Sequence, residues 1–217
     1  MITHTERNRV RALLLEEMIN GSLHCGDRLN LPGLAKKMDC SVTPVREALT
    51  QLEYSRVIES IPNRGFFIPG LDIREAKNLY DLIAAIEAFA LGQSIFSAPD
   101  LQKLERLQGV FETAHDPGAR IRADMEFHDA LTGNYENPYA KQILKDLKIR
   151  VFFYEKSYMI DSGSTTHSGY LHREIIRMIA ANDLQKATEL LRQNWYVTLE
   201  SVQKQFSPTQ YSRKSGK

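Results

Sequence analysis

Apolar side chains return at Val10, Leu13, Leu14 and Met18, the spacing of one buried helix face, and predict a helix over residues 5–20 that stops at Gly21. The next stretch, GSLHCGDRL, carries two glycines and reads as a turn. LPGLAKKM follows as a short second helix, with Pro32 in the first turn, where a missing N–H costs little. In SVTPVREALTQLE, Ser41 to Glu53, either Ser41 or Thr43 can cap a third helix that has Pro44 in its first turn. Val45, Ala48, Leu49 and Leu52 make its inward face, leaving Thr43, Arg46, Glu47, Thr50 and Gln51 outward. VIESIPNRGFFIP then alternates around a Pro-Asn-Arg-Gly turn, which predicts two short strands. Three short helices followed by a hairpin is the order of a winged helix-turn-helix.

After the short Pro69-Gly70 linker the pattern turns helical throughout. Leu79, Leu82, Ile83, Ile86, Phe89 and Ala90 form an apolar stripe, predicting a helix over Ile73–Phe96. Further helices are expected from Pro99 to Ala114, Ala119 to Gly133 and Pro138 to Ile160, then near Ser168–Ala181 and Leu184–Phe206. DSGSTTHSG reads as a polar loop, and SPTQYSRKSGK as a disordered basic tail. The fold class is therefore mainly α. A winged helix-turn-helix occupies residues 1–70, an all-helical bundle 71–206, and a tail 207–217.

Composition narrows this less than the pattern does. Apolar residues make up 42% and charged residues 25%, as in a soluble globular protein. No apolar run is long enough to span a membrane, the charged first twenty residues do not read as a signal peptide, and two cysteines are too few to staple a secreted fold. A cytoplasmic location follows as the expectation. The net charge of +1 points to no partner, because residues 1–70 hold nine Lys/Arg against eight Asp/Glu. Any basic surface must come from placement.

The outward face of the third helix supplies that placement. An α-helix fits the B-DNA major groove, and its N-terminal polar residues reach base edges or phosphates. Ser41, Thr43, Arg46 and Thr50 are the candidate contacts there, and Arg64 beside Gly65 at the hairpin tip suits a minor groove or the DNA backbone. A solvated helix whose arginine pairs with a neighbour fits the spacing equally well. The run LAKKMDCSVTPVREALTQLE with VIESIPNRGFFIP, however, resembles the DNA-binding domain of GntR-family transcriptional regulators over residues 5–70. That resemblance implies an operator-reading helix in which Arg46 contacts DNA. Two arginines common in relatives, at the positions of Val42 and near Pro32, are missing here.

In the helical half, DMEFH places Asp124 and His128 four residues apart, where they can share a metal ion or simply hydrogen-bond to each other. His172 opens the stretch HREIIRMIAANDLQKA. These segments resemble the FCD ligand-binding domain of the FadR-like branch of that family. The resemblance implies a dimerising helical bundle that takes small effectors, commonly organic acids, around one divalent transition metal (Zn, Ni or Mn). Asp124, His128 and His172 match three of its ligands, and Asn194 stands where a fourth histidine is usual. An amide oxygen is harder than imidazole and weakens such a site toward soft metals. A pocket arginine common in relatives corresponds to Ile83, leaving Arg150, with Tyr154 one turn on and Asn134, as candidate effector contacts.

Together these features predict an effector-responsive repressor, not an enzyme. It would act as a homodimer on a pseudo-palindromic double-stranded operator and have no membrane partner. A metal-responsive regulator is the alternative, and a metal-dependent hydrolase on Asp124, His128 and His172 is a third reading.

Overall fold

The computed structural model describes residues 5–158 and 162–206, and the chain divides into two compact units between Leu71 and Asp72. The expected tail at 207–217 lies outside the described residues.

In the first unit, α1 (Glu6–Ile19) buries Val10, Leu14 and Met18. α2 (Leu31–Lys37) starts at Asn30, whose side chain accepts from the Gly33 N–H, and has Pro32 in its first turn. α3 (Val42–Tyr54) buries Val45, Ala48, Leu49 and Leu52, the four residues that the heptad-like spacing singled out. Each such leucine stabilises the unit by about 1.5–3 kcal/mol. The wing is β2 (Glu59–Ile61) paired antiparallel with β3 (Gly65–Phe67). Pro62 and Asn63 sit at the two central positions of its turn, Asn63 at φ 62°, and the Arg64 N–H closes onto the Ile61 carbonyl at 3.0 Å.

One element differs from expectation. Residues Arg28–Leu29, read as part of a turn, form strand β1 on the edge of a sheet ordered β1-β3-β2. Two further backbone bonds, Gly26 N–H to Ile68 and Ile68 N–H to Asp27, continue the pairing. Two residues are too few to show an alternating pattern, and burial of Leu29 against the wing decides their conformation.

The second unit contains α4 (Ile73–Gly92), α5 (Ala98–Thr113), α6 (Pro117–Thr132), α7 (Pro138–Tyr158), α8 (Ser162–Ala180) and α9 (Leu184–Gln205). Asp72, Asp116 and Asp183 each accept backbone N–H groups at the starts of α4, α6 and α9. α4 lies against α6, α7 and α9, while α5 packs on α6 and α8.

Two expectations are corrected here. α4 turns Ala76, Tyr80, Ile83, Ala84, Glu87, Ala88 and Leu91 inward, leaving Leu82 and Phe89 exposed. Of the expected stripe, Ile83 and Ala90 are buried and Leu79 and Ile86 half-buried, while alanines and Tyr80 fill the rest of the inward face, because close helix packing favours small residues. The segment DSGSTTHSG was expected to be a loop, yet α8 runs from Ser162. At Gly169 this helix meets α5, where the Gly169 carbonyl accepts from Gln108 Nε2 at 3.1 Å. Packing of α8 on α5 and α9 overrides weak helix propensity.

Candidate functional site

The first candidate surface is the outward face of α3. Ser41, Thr43, Arg46 and Glu47 are exposed and Thr50 is half-buried, its hydroxyl donating to the Arg46 carbonyl at 3.0 Å. Ser41 occupies the N-cap position but makes no side-chain cap bond, and Thr43 lies inside the helix. Their hydroxyls remain available. Among the described residues, the Arg46 guanidinium makes no ion pair. At the wing tip Arg64 lies over the Phe67 ring, 5.4 Å from its centroid, and Gly65 takes φ 95°, a conformation that a side chain would strain.

The second candidate is inside the helical unit. α6 carries Asp124 and His128 on one face, α8 brings His172, and α9 brings Asn194. One ligand atom from each of Asp124, His128 and His172 falls within a common 4.8 Å. Asp124 Oδ1 is 3.3 Å from His172 Nε2, and Oδ2 is 3.8 Å from His128 Nε2. Ligands about 2.1 Å from a tetrahedral ion lie roughly 3.4 Å apart, so the cluster needs little adjustment to hold one.

Surrounding groups fix both imidazoles. His128 Nδ1 lies 2.6 Å from Glu87 Oε2, and His172 Nδ1 lies 2.8 Å from Gln108 Oε1. Gln108 is itself oriented, since its Nε2 donates to Glu112 Oε1 and to the Gly169 carbonyl. Both Nδ1 atoms therefore carry the proton, and both Nε2 lone pairs turn toward Asp124. Burial, then the neighbouring His128 and Arg173, push the His172 imidazole well down, which keeps it neutral. Burial also opposes charge on His128, but the Glu87 carboxylate overcomes it and the net shift is upward.

Asn194 fits into this arrangement as an amide donor. Its Nδ2 lies 3.2 Å from His128 Nε2 and 3.5 Å from His172 Nε2, while its buried Oδ1 has no partner among the described residues. Turning the amide over would direct Oδ1 at the same two nitrogens, where a cation would need it. The donor set, two inward lone pairs, a carboxylate and one orphaned oxygen, fits a divalent metal.

Glu87 joins this cluster to the core. Fully buried on α4, it also accepts from Trp195 Nε1 at 2.8 Å and faces Lys148 Nζ at 2.8 Å. Lys148 makes a second bond to Asp129 at 2.5 Å. Burial resists ionisation of Glu87, yet Lys148 and His128 together hold its carboxyl down at about 2. Nearby, burial and then Asp124 drive the Glu155 carboxyl well up. Glu155 and Tyr80 are close enough to influence each other, yet Glu155 Oε1 and the Tyr80 hydroxyl lack a well-formed hydrogen bond.

The expected effector contacts lie elsewhere. Arg150 is buried, and its guanidinium makes a two-pronged ion pair with Glu75, at 3.1 Å and 2.5 Å. Tyr154 hydrogen-bonds Glu75 and accepts from the Asp72 N–H at 3.0 Å. Those two residues tie α7 to the start of α4, and the fork that an effector carboxylate would need is engaged. Asn134 donates to the Ile95 carbonyl at 2.9 Å and is exposed.

Sequence reasoning missed Glu87, Gln108 and Lys148. A signal for Glu87 was present: it follows Tyr80, Ile83 and Ala84 at helical spacing, a charge placed on an apolar face.

A winged helix-turn-helix joined to a helical bundle with a buried metal-competent cluster defines the architecture of a DNA-binding transcriptional regulator. The comparisons with known proteins agree. Residues 6–68 match the bacterial regulatory proteins of the gntR family, and residues 78–195 match the FCD domain. The chain belongs to the GntR family of transcriptional regulators, in the group carrying an FCD domain. It is 25% identical over 204 residues to the HTH-type transcriptional regulator BphR of Paraburkholderia xenovorans, covering 89% of this chain and 83% of that protein. It is 23% identical to the HTH-type transcriptional repressor GlaR of Escherichia coli, covering 88% and 92%. Its fold is similar to that of E. coli McbR/YncC, with a TM-score of 0.82 at 20% identity over 94% of this chain and 99% of that one. Among the described residues no helix is long and apolar enough to cross a membrane.

Proposed function

We propose that this regulator is a cytoplasmic homodimeric repressor released by a small organic-acid-like effector. In this reading α3 of each protomer lies in a major groove of a pseudo-palindromic operator. Ser41, Thr43, Arg46 and Thr50 face the DNA, and Arg64 and Gly65 approach it from the wing. The observation that carries the reading is the division of α3, with one face wholly buried and the other exposed, polar and bearing an unpaired guanidinium. The relative GlaR, a transcriptional repressor, supports the sign of regulation.

One divalent transition metal (Zn, Ni or Mn) would be held by Asp124, His128, His172 and, after its amide turns, Asn194. Such an ion supplies the positive charge for an effector carboxylate that Arg150, engaged by Glu75, does not. Asn134, Arg150 and Tyr154 then act as scaffold. Leu82 and Phe89 on α4, with Tyr139 and Ile143 on α7, are exposed apolar side chains suited to a dimer contact.

The test is in-vitro selection of an operator from random duplexes, followed by binding titrations. Arg46→Ala should weaken operator binding at least about tenfold, as expected for a lost bidentate base or phosphate contact, with the dimer intact. Unaltered binding removes α3 as the reading helix. The buried cluster also favours a second reading, in which the metal itself is the signal. Operator affinity that follows metal and chelator without any organic acid would establish that reading. A hydrolase built on the same three ligands would leave the winged unit without a task.

A further inference from the structure

Arg28, on the strand that sequence reading overlooked, is exposed and, like Arg46, makes no ion pair or hydrogen bond through its guanidinium among the described residues. The two arginines line one concavity of about 500 Å³, together with Asn30, Pro32 and Gly65. The register pairs Arg28 with Phe67, the ring under Arg64, so the wing's own arginine lies on the strand next to Arg28. Two unpaired guanidiniums lining the same space repel one another until an anion enters. Among the described residues, no acidic side chain lines the concavity.

We propose that Arg28 and Arg46 form a seat for one phosphate of the DNA backbone, with Arg28 as a positioning residue that sets how deeply α3 enters the groove. Asn30 and Pro32 floor the seat, and Gly65 at its lip lets a sugar-phosphate chain approach closely. A phosphate contact fixes register without reading bases. The proposal rests on the DNA-binding reading, and its test separates the two.

The experiment uses full-length wild type, Arg28→Gln, Arg28→Lys and Arg46→Ala. Each is titrated by fluorescence anisotropy against the selected operator and an unrelated duplex of equal length, between 50 and 200 mM salt, the range over which phosphate contacts show most strongly. Arg28→Gln should bind both duplexes roughly three- to tenfold more weakly at about 0.1 M salt, with the slope of log K against log salt reduced by about 1. Arg28→Lys should keep the wild-type slope. Base preference and melting temperature should stay unchanged, since Arg28 is exposed at the edge of the sheet. A wild-type slope in Arg28→Gln overturns the seat, and so does a loss confined to the operator, which would make Arg28 a base reader. A seat for free phosphate alone is the outcome if 10 mM inorganic phosphate stabilises the wild type while duplex binding ignores Arg28, and that too overturns it (about 10 mM suffices for a weak anion site). If the wild type binds no duplex at all, the DNA-binding reading itself falls and takes the seat with it.

Discussion

Replacing Glu87 with glutamine changes one atom, yet three buried donors depend on that carboxylate. His128 Nδ1 and Trp195 Nε1 both use Oε2, and Lys148 faces Oε1. An amide can satisfy only one side. With its oxygen toward the ring N–H groups its NH2 meets the ammonium, and turned over it meets two N–H groups. Either way a buried donor is orphaned, and breaking a buried pair from one side costs about 3–5 kcal/mol. The acidity of Glu87 gives an independent figure. Its carboxyl is held at about 2 against an ordinary 4.5, which corresponds to about 3 kcal/mol at neutral pH. Because the folded value is depressed, this stability is fully present above pH 4.5 and is lost as pH falls toward 2.

Trp195 is the only tryptophan in the chain and touches Glu87, so its fluorescence follows the unfolding of this unit alone. In urea at pH 7 the Glu87→Gln midpoint should drop by about 1–2 M, for a slope near 2 kcal/mol per molar. The gap between wild type and variant should shrink to about 1 kcal/mol near pH 3, as the wild-type carboxylate loses its advantage. A pH 7 midpoint within about 0.3 M of wild type, too small a change for the loss of a buried pair, refutes the hub. A gap that stays constant down to pH 3 refutes the electrostatic account of it.

Asn194→His should tighten zinc binding by roughly tenfold or more, about 1.4 kcal/mol, as an imidazole replaces an amide that must first turn over. Competition with a chromophoric chelator measures this, and equal affinities would show that Asn194 is not part of the site. If the proposed dimer forms through this face, Leu82→Glu combined with Phe89→Glu should leave only monomer in light scattering, because each apolar side chain contributes about 1.5–3 kcal/mol when covered. A dimer that survives both charges places the contact elsewhere.

The parts of the fold legible in the sequence were those where one short-range signal decided the outcome. The periodicity of Val45, Ala48, Leu49 and Leu52 and the Pro62-Asn63 turn each contain their own physics, and the structure follows them. The parts that were not legible depend on partners distant in sequence. β1 exists because Leu29 meets the wing, and α8 forms because it packs on α5 and α9. In the cluster, spacing along α6 could pair Asp124 with His128, whereas His172 and Asn194 entered only through the family resemblance, and the fold is what brings their atoms together. For Arg150 the sequence showed a cation on a helix and could not show Glu75, which lies far along the chain and cancels it.

Tyr154 has a mechanical consequence. Its hydroxyl grips the peptide at Asp72, the residue at which the chain enters the helical unit, and the Asp72 side chain caps α4 in turn. Asp72 is therefore fastened to α7 from one side and to α4 from the other within the helical unit. Any sliding of those two helices past each other is transmitted as a displacement of the chain at Asp72 without slack.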